Sequence, residues 1–399
     1  MQKMSRYLIT LTPTDKFFFG GEMKFSIGGQ KDRNASYIIK SNYFPQQTAL
    51  LGMLRFLILR TSEYFSNGEI VEQMKENVKA LIGEKSFSVN EGHDKNDFGA
   101  IESITGCFIQ MQKSEEKEWI KLEPAGYDTE FNISFTEDKH GFHNGCPLLL
   151  PDITRKDPES KKKGLGYDKY FRVAGSDGPG KVLYSPDDIF IEDSRLGINR
   201  DIRTGKTENN ALYKQKNFRF NTKTGTFRFA FYAEIDESNF DKEFSSSNGK
   251  IVSLGADNSN FSIGISKSDK PDREKQETAE GGVCRIVLLS PAFLDPADVR
   301  LADFAIAETM PFRFLKSSLD SKSYNLSGGG LARSEKYELY APGSVFFIKE
   351  EITGKDGDRS RVQEFKAALE GKNEFRQIGY NQYRAMRHFP ATAVSTTDK

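Results

Sequence analysis

The chain has 399 residues, with 57 Lys and Arg against 57 Asp and Glu, and 32 Phe beside a single Trp. A formal net charge of zero excludes a wholly basic coat protein, so any surface for nucleic acid must be local. The length exceeds one ordinary core and points to two domains, while three scattered Cys without a CxxC pair give no support to a cysteine-built zinc site and fit a reducing cytoplasm.

The first residues, MQKMSRYLITLTPTDK, lack the apolar core of a signal peptide. Tyr7 to Leu11 is a short apolar run closed by Thr12-Pro13 and is predicted as the first strand. A loop with Phe17, Phe18, Phe19, Gly20, Gly21 and Lys24 follows. Three adjacent rings on extended backbone cannot all face one way, so these Phe are expected in a core or interface. Pro45 opens a helix, PQQTALLGMLRFLILR, apolar almost all round and expected to be deeply packed, with Gly52 allowing close approach to a sheet. Its apolar stretch from Ala49 to Leu59 contains Arg55 and is shorter than the roughly 20 residues that span a membrane, so no membrane segment is expected. Gln46, Gln47 and Thr48 sit at its start, where free backbone N–H groups can meet a phosphate.

A second helix is predicted over Glu69–Ile82, and a hairpin over Ile104–Gln112 and Glu118–Leu122. Thr154–Lys181, with KKKGLGYDKY and GSDGPGK, has little to bury and is expected to be a flexible insertion. Phe227–Ile235, Arg285–Leu289, Tyr337–Tyr340 and Ser344–Ile348 are predicted strands, the last two flanking the turn Ala341-Pro342-Gly343. Arg361–Leu369 is a short helix stopped by Gly371, and the tail from Ala391 is polar. The expected division is a first domain at 1–153, the insertion at 154–181 and a second domain at 182–399 carrying a basic hairpin. Strands with helices between them in both halves indicate an α+β class built on antiparallel sheets.

The most informative stretch is Arg195–Lys223, RLGINRDIRTGKTENNALYKQKNFRFNTK. It holds eight basic residues, among them Arg195, Arg200, Arg203, Lys206 and Lys214, against two acidic ones. Tyr213, Phe218 and Phe220 are interleaved with the charge. Cations attract phosphates and rings stack on unpaired bases, so the stretch has the chemistry of a grip on RNA; the alternative is a solvated hairpin. Gly328, Gly329 and Gly330, followed by Arg333 and Lys336, have the composition of a loop whose backbone approaches phosphates, without the GxxxxGK[ST] of a nucleotide-binding loop.

Catalytic chemistry has less support. There is no GxSxG, and His140, His143 and Cys146 match no common metal spacing. A metal-independent ribonuclease would want His93 or His388 beside a Lys or Tyr, to move the proton of a 2′-hydroxyl. No cofactor is expected.

Five ordered blocks, LTPTDKFFFGGEMKF, FPQQTALLGMLR, RLGINRDIRTGKTENNALYKQ, SLGADNSNF and SGGGLARSEKYELYAPGSVFFIKE, together resemble the RAMP superfamily of CRISPR effector proteins. More narrowly, they are similar to the third-subunit family of the type III-B Cmr module, among the group-five RAMP subunits. The resemblance implies two ferredoxin-like (RRM-like) domains with long loop insertions and a glycine-rich loop. It implies a non-catalytic, RNA-binding scaffold subunit of an antiviral complex, holding the repeat-derived 5′ tag of the guide RNA. The implied partners are the large polymerase-domain subunit and neighbouring backbone RAMP subunits. A guide-RNA-processing endoribonuclease of the same superfamily is the alternative, and a carbohydrate- or protein-binding module the third reading. Carried onto these positions, Gln46, Gln47, Thr48, Arg195, Asn199, Arg200, Arg203, Gly328 to Gly330 and Arg333 become RNA candidates, joined by Lys24, Lys206, Lys214 and Lys336 on their charge.

Overall fold

The computed structural model describes residues 4–21, 23–26, 36–113, 116–128, 148–149, 169–175, 182–200, 204, 207–238, 240, 244–255, 257–268, 282–319, 332–350 and 360–387. The chain begins with β1 (Met4–Pro13), the short β2 (Met23–Ser26) and β3 (Ser36–Lys40), then helices α1 (Gln47–Thr61) and α2 (Lys75–Ile82). Next come β4 (Phe108–Gln112) and β5 (Ile120–Pro124), and then the long arms β6 (Phe190–Arg200) and β7 (Thr207–Phe220). β8 (Thr226–Asp236), β9 (Ser259–Lys267), β10 (Gly282–Leu288), β11 (Phe304–Ile306) and β12 (Val345–Glu350) lead to α3 (Arg361–Glu370), α4 (Asn373–Gln377) and β13 (Tyr383–Arg387).

β1 alternates as a half-buried strand should, with Tyr7, Ile9 and Leu11 fully inside. It lies at the centre of the largest sheet, antiparallel to β8 on one side and β9 on the other, with Ile9 level with both Phe231 and Ile265. β4 pairs with the far side of β8, and β5 with β4. In chain order β1, β4, β8 and β9 therefore run 4-1-3-2 across the sheet, all antiparallel. Another sheet repeats the order: β13, β10, β12 and β11 are also 4-1-3-2 and antiparallel, with α3 and α4 in the last crossover. Four further strands, β6-β7-β3-β2, form a separate sheet. The class is thus α+β with mostly antiparallel sheets.

Several boundaries move from their expected places. The largest sheet takes strands from both sides of residues 154–181, and Phe171–Val173, inside the expected insertion, is one of its strands, paired with β5. The sheet of β10–β13 likewise draws on both sides, since Leu148–Leu149 pairs with β11. The predicted second helix starts later, at Lys75, because Asn67 (φ 53) and Gly68 (φ 86) make a two-residue turn that pairs Phe65–Ser66 with Glu69–Ile70. Tyr337–Tyr340 and β12 flank the expected turn but do not pair with each other; the first pairs with Thr309–Phe312 and the second with β10.

α1 buries Leu50, Leu51, Leu54, Leu57 and Ile58 on one broad face. It is not apolar-packed all round: Phe56 is 52% exposed, and Gly52 faces open space with nothing within 4 Å of where a Cβ would stand. The rings of Phe17 and Phe19 are buried, Phe17 meeting Phe229 edge-on at 5.3 Å and Phe19 stacking on Phe261 at 5.8 Å. Phenylalanine thus fills the seam between the largest sheet and the base of the β6–β7 arms.

Candidate nucleic-acid interface

The basic stretch folds as an antiparallel hairpin, registered from Phe190 opposite Phe220 to Ile198 opposite Leu212, with an irregularity before Arg200 meets Thr207. At about 3.3 Å per residue the arms, of 11 and 14 residues, are about 36 and 46 Å long. Burial falls along them, from Phe190 at 2% exposed to Leu196 at 72%. Phe218 and Phe220, expected from the sequence to stack on bases, are instead core residues. They sit at the buried base of the arm, where Phe220 stacks on Phe190 at 5.6 Å and Phe218 lies 4.7 Å from Tyr43. Tyr213 lies in β7, and its side chain is outside the described residues.

Main-chain pairing gathers basic positions into one small sheet. β7 runs parallel to β3, with Lys214 level with Ile38, and β2 pairs with β3, with Lys24 level with the same Ile38. Lys24 and Lys214, 190 positions apart in sequence, thus share one register row. Lys216 donates to Glu192 at 2.7 Å, and Lys40 stands 3.8 Å from the same carboxylate with its ammonium 5.6 Å above the Phe218 ring. Partial burial alone would push the Glu192 carboxyl up; the hydrogen bond and charge of Lys216, with the charges of Lys40 and Lys214, outweigh it and hold the group below its ordinary value. Glu192 therefore stays ionised and offsets part of the positive charge. Arg195 and Arg219 are exposed and Lys214 is half-buried.

On the hairpin's other side Arg195 lines a pocket of about 160 Å³ with Thr14, Lys16, Asn217 and residues 257–260. The SLGADNSNF turn that forms one wall requires glycine: Gly255 has φ +91, and a Cβ there would stand 2.3 Å from the Phe18 carbonyl oxygen. The Phe18 N–H donates to the Ser259 hydroxyl at 3.0 Å, tying the turn to the Phe-rich loop.

The helix start divides between two roles. Gln47 is 3% exposed, and its amide donates to the carbonyls of Thr105 at 2.9 Å and Ile378 at 2.7 Å, so it is an internal brace and not an RNA contact. Gln46 is the N-cap residue and donates to the Arg313 carbonyl at 2.8 Å; Thr48 is half-buried. Phe314 and Ser334 exchange hydrogen bonds next to Arg313 and Arg333, so the helix start and the late segment are neighbours. Arg333, in a two-residue strand paired with Leu315–Lys316, is exposed, and exposed Lys336 stands 3.9 Å from Glu338. Asn199 and Arg200 are placed at the outer end of β6 by their backbone, with side chains outside the described residues. Arg203, Lys206 and Gly328 to Gly330 also lie outside them.

Both ring nitrogens of His93 are engaged, Nδ1 with Glu374 at 2.7 Å and Nε2 with the Lys372 ammonium at 3.0 Å. A general base needs a ring nitrogen facing its substrate, and this ring faces its own protein. His388, His140, His143 and Cys146 lie outside the described residues. Among the described residues no three His, Cys, Asp or Glu side chains are grouped to hold a metal ion, and no helix is long and apolar enough to cross a membrane.

Two solved structures are similar over nearly the full chain. One is a chain of the type III-B Cmr-beta complex bound to cognate target RNA, seen by cryo-EM, at 15% identity, covering 95% of this chain and 96% of that one with a TM-score of 0.43. The other is from the same kind of complex with target RNA and AMPPnP in state 1, at 14% identity, 95% of each chain and a TM-score of 0.42. No curated protein matches the sequence. The model of one protein family matches residues 9–387, all but the two ends, and the chain belongs to that family, the CRISPR-associated protein family Cas_Cmr3.

Proposed function

We propose that this chain is a non-catalytic, RNA-binding scaffold subunit of a type III-B CRISPR effector complex. The observation that carries the reading is the small sheet β6-β7-β3-β2, which sets the basic hairpin beside the Lys24 strand with its base anchored in the phenylalanine core. A locally cationic ribbon on a neutral protein suits one specific RNA strand and not nucleic acid at large. Family membership supplies the CRISPR context. The RNA is the guide, held at its repeat-derived 5′ tag, and the flanking surfaces meet the large polymerase-domain subunit and the neighbouring backbone RAMP subunits. The 4-1-3-2 order in both larger sheets supports two ferredoxin-like units.

The test is co-expression with the neighbouring genes and purification through a tag on this chain. The wild type is expected to retain small RNAs sharing one 5′ end together with a very large partner. Arg200→Glu with Arg203→Glu is expected to lower RNA retention while circular dichroism stays unchanged. Clean protein without RNA or partners overturns the reading, and full retention by the double variant removes Arg200 and Arg203 as the contact.

A further inference from the structure

One carboxylate stands among the cations of the small sheet. Glu192 of β6 takes one lysine on each oxygen: Lys216 of β7 donates to Oε1 at 2.7 Å, and the Lys40 ammonium of β3 lies 3.8 Å from Oε2. The parallel register sets Lys40 level with Lys216, so the two cations are neighbours on paired strands. All three side chains reach water, at 35% exposed for Glu192, 26% for Lys216 and 51% for Lys40. The group sits near the buried foot of the arm, since Glu192 is level with Phe218.

Stability accounts for little of this arrangement. Exposed ion pairs contribute little to folding, because water screens them and holding long side chains costs entropy. Like charges on paired strands repel, and a neutral residue at either lysine would end the repulsion without a carboxylate. The effect on a polyanion is larger. Bare, Lys40 and Lys216 would be two adjacent phosphate sites. Phosphate contacts carry no sequence information, so any single strand could settle there. Glu192 offsets the pull of the pair and sets a negative charge against an incoming phosphate, a juxtaposition that suppresses wrong partners. A strand already fixed by contacts farther along the arm does not need these lysines.

We infer that Glu192 is a specificity-determining residue of the RNA surface: as a built-in counter-charge to Lys40 and Lys216, it keeps unrelated single strands from settling at the foot of the arm. The inference rests on the RNA-binding reading above and adds to it the means by which other strands are refused.

The experiment measures binding of the full chain to oligouridylate and to the small RNA recovered in the co-purification above, each over a range of salt. Glu192→Gln keeps the shape and an acceptor for Lys216 and removes only the charge. It is expected to bind oligouridylate about tenfold more tightly at low salt, with the slope of log affinity against log salt steeper by about 1.4, or about 0.7 for each freed lysine on a single strand. Its gain on the recovered RNA is expected to be smaller, so that the ratio of the two affinities falls. Glu364→Gln, at an exposed position of α3, changes the net charge equally and is expected to move neither quantity. An unchanged slope for Glu192→Gln, an equal gain on both RNAs, or the same gain from Glu364→Gln each overturns the role of Glu192 while leaving RNA binding intact. Absence of any salt-sensitive RNA binding by the wild type overturns the parent reading, and the counter-charge with it.

Discussion

Single residues show where free energy can be moved without touching the interface. Gly52 lies in mid-helix with open space around its missing Cβ. Gly52→Ala should therefore raise stability by about 1 kcal/mol, the difference in helix propensity, read as a higher midpoint in denaturant. Glu237 is the opposite case. It is 4% exposed and accepts from the Tyr7 hydroxyl at 2.5 Å, from the Ser5 hydroxyl and from the Phe244 N–H. Burial pushes its carboxyl up, but these donors and Lys267 together hold it below its ordinary value. A depressed folded value means that the stabilisation is whole above the ordinary carboxylate range and is lost as pH falls through the depressed one. Tyr7→Phe removes one donor, so it should cost about 1–3 kcal/mol at neutral pH and move acid unfolding to higher pH. A variant whose deficit is the same at pH 7 and in acid would show that the Tyr7 hydroxyl does not act through Glu237.

At the scale of elements, the hairpin separates contacts that look alike in sequence. Arg195→Ala and Lys214→Ala should each reduce the slope of log affinity against log salt by about 0.7, the value for one phosphate on a single strand. Gln47→Ala should leave that slope unchanged and lower thermal stability instead, since its amide braces two backbone carbonyls. Equal slope changes for all three would mean that Gln47 reaches RNA. The elements that sequence reasoning found carry their signal locally: the proline-opened helix, the β6–β7 stretch through its charge, and the Phe loop through the impossibility of three rings sharing one side. What it missed depends on pairing partners far along the chain. Lys40 drew no reading, because only the pairing of β3 with β7 brings it to the hairpin. Phe218 and Phe220 read as stacking rings until the register places them at the buried end of the arm. The two-residue turn at Asn67-Gly68 was legible, since that dipeptide favours φ > 0, but the helical spacing after it masked the hairpin.

At the scale of the molecule, the two larger sheets meet through polar as well as apolar contacts: Phe312, Phe375 and Ile378 share one buried cluster with Ile9 and Leu50. The 4-1-3-2 order of each was invisible in sequence because β1 and β8, adjacent in the sheet, are separated by more than half the chain. Where the sheets meet, Glu123 of β5 is 2% exposed and faces two arginines, Arg172 at 3.1 Å and Arg384 of β13. Burial draws the Arg384 guanidinium down to about 10, still far above neutrality, so it stays charged beside Glu123. Nearby Arg285 of β10 grips Asp128 through two nitrogens, and Gln377 of α4 donates to the carbonyls of Asn96 and Glu102. Removing one member of such a buried group leaves an uncompensated charge, which costs more than the group contributes when whole. Glu123→Gln keeps the shape and removes the charge, so it should destabilise by about 3–5 kcal/mol. The loss falls on the contact between sheets, since β5 and β13 each keep their own ladder. Hydrogen exchange should then show β10, β12 and β13 losing protection before β1 and β8, where the wild type loses them together. If Glu123→Gln leaves exchange in both sheets coupled and the melting temperature unmoved, the apolar contacts around Phe312 and Phe375 hold the two units together, and the buried charges are incidental to their union.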